Sequence, residues 1–128
     1  MQVTDKVPLT DLLKSGWSLL AVVPSGLLLF ATQAAQAMER AYAPYSNFHV
    51  GACLRTDSGQ LYAAANVENA AYPQTMCAER VAIFKAVSEG EKDFEIISVV
   101  TDNGGSPCGG CRQVMAEFGL DTIVILGD

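Results

Sequence analysis

The sequence predicts an α/β fold in which helices cover a mixed sheet, and three observations carry that expectation. β-branched runs such as "EIISVVTD" (95–102) alternate with stretches of helical period such as "CGGCRQVMAEF" (108–118). Glycine, proline and aspartate punctuate the chain between them. The 128 residues, 50% hydrophobic and 17% charged, suffice for one core and are too few for two ordinary domains.

Residues 1–24 read as an N-terminal extension and 25–128 as a single domain. The run "WSLLAVVPSGLLLFA" (17–31), with Lys14 before it and Ala35-Gln36-Ala37 after it, has the outline of a secretory leader. Pro24 and Gly26 interrupt it, and it is too short to span a bilayer. Pro24-Ser25-Gly26 reads better as a helix start, with Ser25 capping a helix from about Leu27 to Tyr42. Its apolar face would be Leu27, Leu28, Ala31, Ala34, Ala35 and Met38.

"FHVGACLRT" (48–56) and "QLYAAANV" (60–67) flank Asp57-Ser58-Gly59, a hairpin signal. Residues 77–89 place Val81, Ile83, Phe84 and Val87 at helical intervals, with Gly90 as the stop. The near-uniform apolar character of 95–102 fits a strand buried on both faces. A helix over 108–118 stops at Gly119, and "TIVILG" (122–127) reads as a last strand.

Charge narrows the function. Fourteen acidic residues against eight basic ones give a net charge of −6, and no stretch gathers Lys and Arg into a phosphate-neutralising patch. A nucleic-acid partner and a membrane partner are not expected. Of four cysteines, Cys77, Cys108 and Cys111 sit in Cys-Ala-Glu and Cys-Gly-Gly-Cys settings that suit a metal in a reducing compartment better than disulfides.

In "SPCGGCRQVM" Pro107 marks a helix start, so Cys108 and Cys111 fall together in its first turn. A helix N-terminus favours the thiolate, the form that binds metal. Cys77, before the helix over 77–89, is positioned to supply a third ligand, and three protein ligands leave a fourth tetrahedral position of zinc open for water. Glu79 lies off the face of Cys77, which suits a proton carrier beside the metal rather than a ligand. Arg80 and the helix ends are the donors available to offset thiolate charge. Other readings stand beside these. Cys53 would close a four-cysteine structural site, although a small buried hydrophobe in mid-strand suits it better. Glu79 alone is an ordinary first-turn acid, Asn66 and Glu68 alone are turn polarity, Phe48 alone is a strand core residue, and His49 reads as strand surface.

The segments "AYAPYSNFHVGA", "NVENAAYPQTMCAERVAIFKAVSEG" and "SPCGGCRQVMAEFG", within about residues 38–126, together resemble the small homotetrameric cytidine deaminases of the three-cysteine type. The resemblance implies a three-layer α/β/α sandwich with a mixed sheet. It implies one zinc ion per chain on Cys77, Cys108 and Cys111, with Glu79 as the catalytic acid and base. Asn66 and Glu68 would hold the ribose, Phe48 would wall the pyrimidine, Ala78 would offer backbone groups to the base, Arg80 would compensate the sulfurs, and Tyr72 would lie near a subunit boundary. The reaction implied is deamination of cytidine and 2′-deoxycytidine in pyrimidine salvage, in the cytoplasm, by a homotetramer or a dimer. A blasticidin S-type deaminase and an inactive zinc- and nucleoside-binding relative are the alternatives. Family members continue beyond the position of Asp128 into a further strand and a tail that closes a neighbouring site, and residues 1–24 are expected to compensate in part, by packing over the sheet or by subunit contact.

Overall fold

The computed structural model describes Gln2–Thr4 and residues 25–128. In chain order the elements are β1 (Gln2–Thr4), α1 (Ser25–Met38), β2 (Val50–Thr56), β3 (Leu61–Ala65), α2 (Ala78–Ser88), β4 (Phe94–Thr101), α3 (Gly109–Phe118) and β5 (Ile123–Gly127), with a short 3₁₀ turn at Tyr72–Gln74. The strands form one sheet in the order β1-β5-β4-β2-β3. β4 pairs antiparallel with β2 and parallel with β5, so the sheet is mixed as expected.

Alternation along the strands sorts side chains into two cores. On one face Cys53, Ile96 and Val100 pack with Phe30 and Ala34 of α1. On the other, Ala52, Leu54, Ile97 and Val99 pack with Ala82, Ile83 and Ala86 of α2 and Met115 of α3. The result is the predicted three-layer arrangement. Central β4 is covered on both sides, which is why all of its residues but Glu95 are buried.

α1 crosses β2 at a close approach. A Cβ placed on Gly51 would lie 1.9 Å from the Ala34 carbonyl oxygen and 2.7 Å from the Met38 nitrogen. Only glycine fits there without moving the helix.

Several boundaries differ from the sequence reading. α1 ends at Met38, four residues short of Tyr42. Arg40 and Ala41 donate to the carbonyls of Ala37 and Met38 in a closing turn, and Tyr42 is drawn away to donate to the Asn66 carbonyl at 3.0 Å. Tertiary pairing with the end of β3 thus overrides local helical period. Ser25 is the first helical residue of α1 rather than its cap. Of its predicted face, Ala31 and Ala34 are buried, Ala35 and Met38 half-buried, and Phe30 and Ala37 join them; the side chains of Leu27 and Leu28 lie outside the described residues. In α2 the buried face is made largely of alanines, and Phe84, expected among the apolar positions, is 43% exposed. Gly59 takes φ 87° in the hairpin turn and Gly90 takes φ 94° after α2, the left-handed conformations those turns require.

Of residues 1–24, Gln2–Thr4 do not lie over the sheet but extend its edge, pairing parallel with Ile123, Val124 and Ile125. The leader-like run up to Pro24 lies outside the described residues. No helix among the described residues is long and apolar enough to cross a membrane.

The topology brings one end of the sheet into register for chemistry. β3 and β4 are each antiparallel to β2, so the C-terminal ends of β3 and β4 meet the N-terminal end of β2. The chain leaves β3 to reach the start of α2 and leaves β4 to reach the start of α3, so both helix N-termini arrive at that same end.

Candidate functional site

Two helix N-termini build a thiol cluster. Cys77 is the extended residue capping α2 and Cys108 the extended residue capping α3. The Cys108 sulfur accepts the Cys111 backbone N–H at 3.4 Å, replacing a conventional cap. Cys111 follows one turn into α3 and is fully buried. The three Sγ atoms lie within 4.8 Å of one another, with 3.9 Å between Cys77 and Cys108 and 3.4 Å between Cys108 and Cys111.

These distances fit a tetrahedral metal. Zinc–sulfur bonds of about 2.3 Å place neighbouring sulfurs about 3.8 Å apart, between the two separations found. Protonation gives a second reason. A hydrogen bond from Cys111, with help from Arg80 and Cys108, pushes the Cys77 thiol down to about 5. The Cys111 thiol is shifted the other way, by that same bond to Cys77 and by burial. One thiolate forms readily, at Cys77, and a second so close to it needs a cation between them. The donor set is therefore suited to zinc.

Arg80 stands at the back of the cluster. Its terminal nitrogen donates to the Cys77 sulfur at 3.3 Å, and its pKa is raised first by that bond. Arg112 braces the loop that delivers Cys108, donating to the Pro107 carbonyl at 2.9 Å and to the Ser106 hydroxyl at 3.3 Å. Glu79 is only 4% exposed. Burial raises its pKa, and the neighbouring Cys77 thiolate pushes in the same direction. A carboxyl shifted this way is suited to exchange protons nearer neutrality.

Cys53 takes no part. It is fully buried on the α1 face of the sheet, with its thiol pushed up to about 11 by desolvation, and it does not belong to the sulfur cluster. The closed four-cysteine reading is thereby excluded.

Opposite the thiols stands a wall made by a loop and a strand end. Asn66, 7% exposed, donates from its amide to the Phe48 carbonyl at 2.8 Å and accepts the Val50 N–H at 2.9 Å. Glu68, 5% exposed, accepts the backbone N–H groups of Tyr45 at 2.9 Å and Ser46 at 3.2 Å on one oxygen, and the Ser46 hydroxyl on the other. These bonds lower the Glu68 pKa, the Ser46 hydroxyl first. Phe48 is 38% exposed, a wall residue rather than the core residue its strand pattern suggests.

The two walls face one cavity of about 450 Å³ whose lining includes Phe48, Asn66, Glu68, Cys77, Glu79 and Cys108. Among the described residues, no lysine, arginine or histidine lines it. Tyr72, 65% exposed, borders the cavity, whereas Ala78, the residue after Cys77, is fully buried and is not among the lining residues. His49 is not among the lining residues. Sequence reasoning did not single out Ser46, Thr101 and Asn103, which line the cavity, or Arg112, which braces the Cys108 loop from outside it. Their one common signal is position: each lies in or beside a turn that delivers a predicted site residue.

Comparison with known proteins places this geometry among deaminases. The family model for the cytidine and deoxycytidylate deaminase zinc-binding region matches residues 26–127. A cytidine deaminase of Halalkalibacterium halodurans is 54% identical over 99 residues, covering 75% of each chain. One of Sporosarcina psychrophila is 55% identical over 85 residues, or 65% of this chain and 62% of that relative, so the match spans somewhat under two thirds of its length. The crystal structure of a cytidine deaminase from Burkholderia pseudomallei superposes with a TM-score of 0.72 at 48% identity, over 77% of this chain and 81% of that one.

Proposed function

We infer that this chain, which belongs to the cytidine and deoxycytidylate deaminase family by its zinc-binding region, is a hydrolytic deaminase of cytidine and 2′-deoxycytidine, releasing ammonia and leaving uridine and 2′-deoxyuridine. Residues 25–128 are taken as the catalytic unit. The observation that carries the reading is that two sulfurs of the three-thiol cluster, Cys77 and Cys108, a buried carboxyl and a polar strand end all line one cavity, with Cys111 buried beneath.

Cys77, Cys108 and Cys111 are the residues that would hold one zinc ion. Zinc supplies Lewis acidity that makes water a nucleophile near neutral pH. Glu79 accepts a proton from the attacking water and delivers it to ring N3; it then carries the proton of the new C4 hydroxyl to the amino group, so that the C4–N bond breaks, ammonia leaves and the C4 carbonyl forms. Its burial keeps bulk water from competing for that proton. Arg80 offsets the charge of three sulfurs from behind. Phe48 stacks against the pyrimidine, and backbone groups at Ala78 meet its polar edge. Asn66 and Glu68 hold the sugar through a hydroxyl.

The lining also argues for the size and charge of the substrate. A phosphate would need a cation beside the sugar, and Glu68 is itself an anion there. A neutral nucleoside is therefore preferred over a nucleotide. The free thiol state of all four cysteines suits a reducing cytoplasm and a role in pyrimidine salvage. Tyr72, exposed beside the cavity, is the residue we place at a subunit boundary of a homotetramer.

The test is a single preparation of purified protein assayed with cytidine, 2′-deoxycytidine and dCMP, its zinc content measured alongside. The reading expects about one zinc per chain, turnover of both nucleosides, and little with dCMP. Zinc without turnover of either nucleoside sinks it.

A further inference from the structure

We propose that Ser46 is a positioning residue for the sugar side of this site, one hydroxyl fixing both Glu68 and Phe48. The role rests on the deaminase reading above and adds to it a residue outside the sugar pair and the thiol cluster. A serine hydroxyl has one proton to give and two lone pairs to accept with. Here the proton goes to Glu68 Oε1, and a lone pair accepts the Phe48 backbone N–H at 3.0 Å. The carboxylate that addresses the sugar and the ring that walls the base are thus tied through a single oxygen atom.

The turn makes this geometry reachable. Asn47 sits at φ 55°, a left-handed conformation that asparagine tolerates better than most residues, and its N–H donates to the Ala43 carbonyl at 3.0 Å. That bend folds residue 48 back over the Ser46 hydroxyl. Ser46 itself is exposed and belongs to neither hydrophobic core, so its side chain contributes bonds rather than packing.

Counting bonds shows what the arrangement leaves for a ligand. A carboxylate offers about four acceptor positions, and three donors from Tyr45 and Ser46 occupy Glu68. One acceptor position remains. The Asn66 amide has two N–H donors, of which Phe48 O takes one. One donor thus remains near one acceptor, which matches a single hydroxyl that both accepts and donates. Ser46 therefore aims the free position of Glu68 as well as holding the carboxylate in its charged form.

The experiment compares zinc-loaded wild type, Ser46→Ala and Ser46→Thr, using cytidine and 3′-deoxycytidine, the latter followed as substrate or as competitive inhibitor. Removing a hydrogen bond to a charged group is expected to raise the KM of Ser46→Ala for cytidine about tenfold, with kcat within about twofold of wild type. For 3′-deoxycytidine, which lacks the hydroxyl in question, the change in KM or inhibition constant is expected to stay within about twofold, and Ser46→Thr restores the cytidine KM to within about threefold. An equal loss for both nucleosides, a fall in kcat at unchanged KM, or no change at all overturns the positioning role while leaving the deaminase reading in place. A zinc-loaded wild type that does not turn over cytidine overturns both.

Discussion

The two walls of the cavity are built by opposite means. The thiol wall is carried by the first turns of α2 and α3, where Cys77 and Cys108 are themselves the caps and helix geometry sets the spacing. The other wall, where we place the sugar, is a loop stitched to a strand end, and its shape depends on individual hydrogen bonds: Ser46 and Tyr45 donate to Glu68, and Asn66 donates to Phe48 and accepts from Val50. The contrast extends to the two carboxyls. Glu79, buried beside a thiolate, is shifted up; Glu68, gripped by three donors, is shifted down. A rigid wall is suited to chemistry that tolerates little displacement, and a stitched wall to recognition that can be adjusted bond by bond.

The largest expected effect comes from the thiol wall. Cys108→Ser removes both a ligand and the sulfur that caps α3, so zinc content measured by atomic spectroscopy is expected to fall well below one per chain and turnover by about 10³-fold or more. Glu79→Ala separates the metal from the proton: zinc stays bound while kcat drops by about 10²- to 10⁴-fold. If that variant kept wild-type turnover, the division of labour between ligand and proton carrier would be wrong.

Effects on the sugar wall are smaller and fall on KM. Asn66→Ala orphans the Val50 N–H and the Phe48 carbonyl, and is expected to cost about 1–3 kcal/mol in denaturant melts together with a KM rise of about tenfold or more. A KM rise with unchanged stability would show that the pinning bonds matter less than the substrate contact. The smallest effect is in pH. Because the folded-state pKa of Glu68 lies below its usual value of 4.5, its stabilising bonds are present in full above that value and are lost as pH falls through the lowered one. The cytidine KM is therefore expected to show no Glu68-linked rise between pH 7 and 5, with its acid rise appearing below 4.5 and moving upward in Ser46→Ala; a Glu68-linked rise already at pH 6 would contradict the grip of the loop.

The same contrast explains what could be read without a structure. That Cys77, Cys108 and Cys111 gather is legible because metal chemistry and helix starts demand those residue types at fixed spacing; the role given to Glu79 is a proposal that its place on the cavity supports. Most strands and helices were legible for a similar reason, their periods being imposed by two-sided or one-sided burial, as in the uninterrupted apolar run of β4. Ser46 was not, since a serine in a turn has no period, and its partner Glu68 is 22 positions away. Tyr42 was misassigned to α1 because its pairing with the end of β3 leaves no mark in local sequence. Phe84 is expected inside, but the buried face of α2 is set by Ala78, Glu79, Ala82, Ile83 and Ala86, and residue 84 falls off that face.

Gly51 carries a consequence for anyone altering this protein. It lies where α1 rests on β2, next to Val50, whose N–H holds Asn66 in place. A methyl group there would act as a shim under the helix, and the displaced spacing would be transmitted along one residue of strand to the sugar wall. The set of the Asn66 side of the cavity thus rests on a contact made on the reverse side of the sheet.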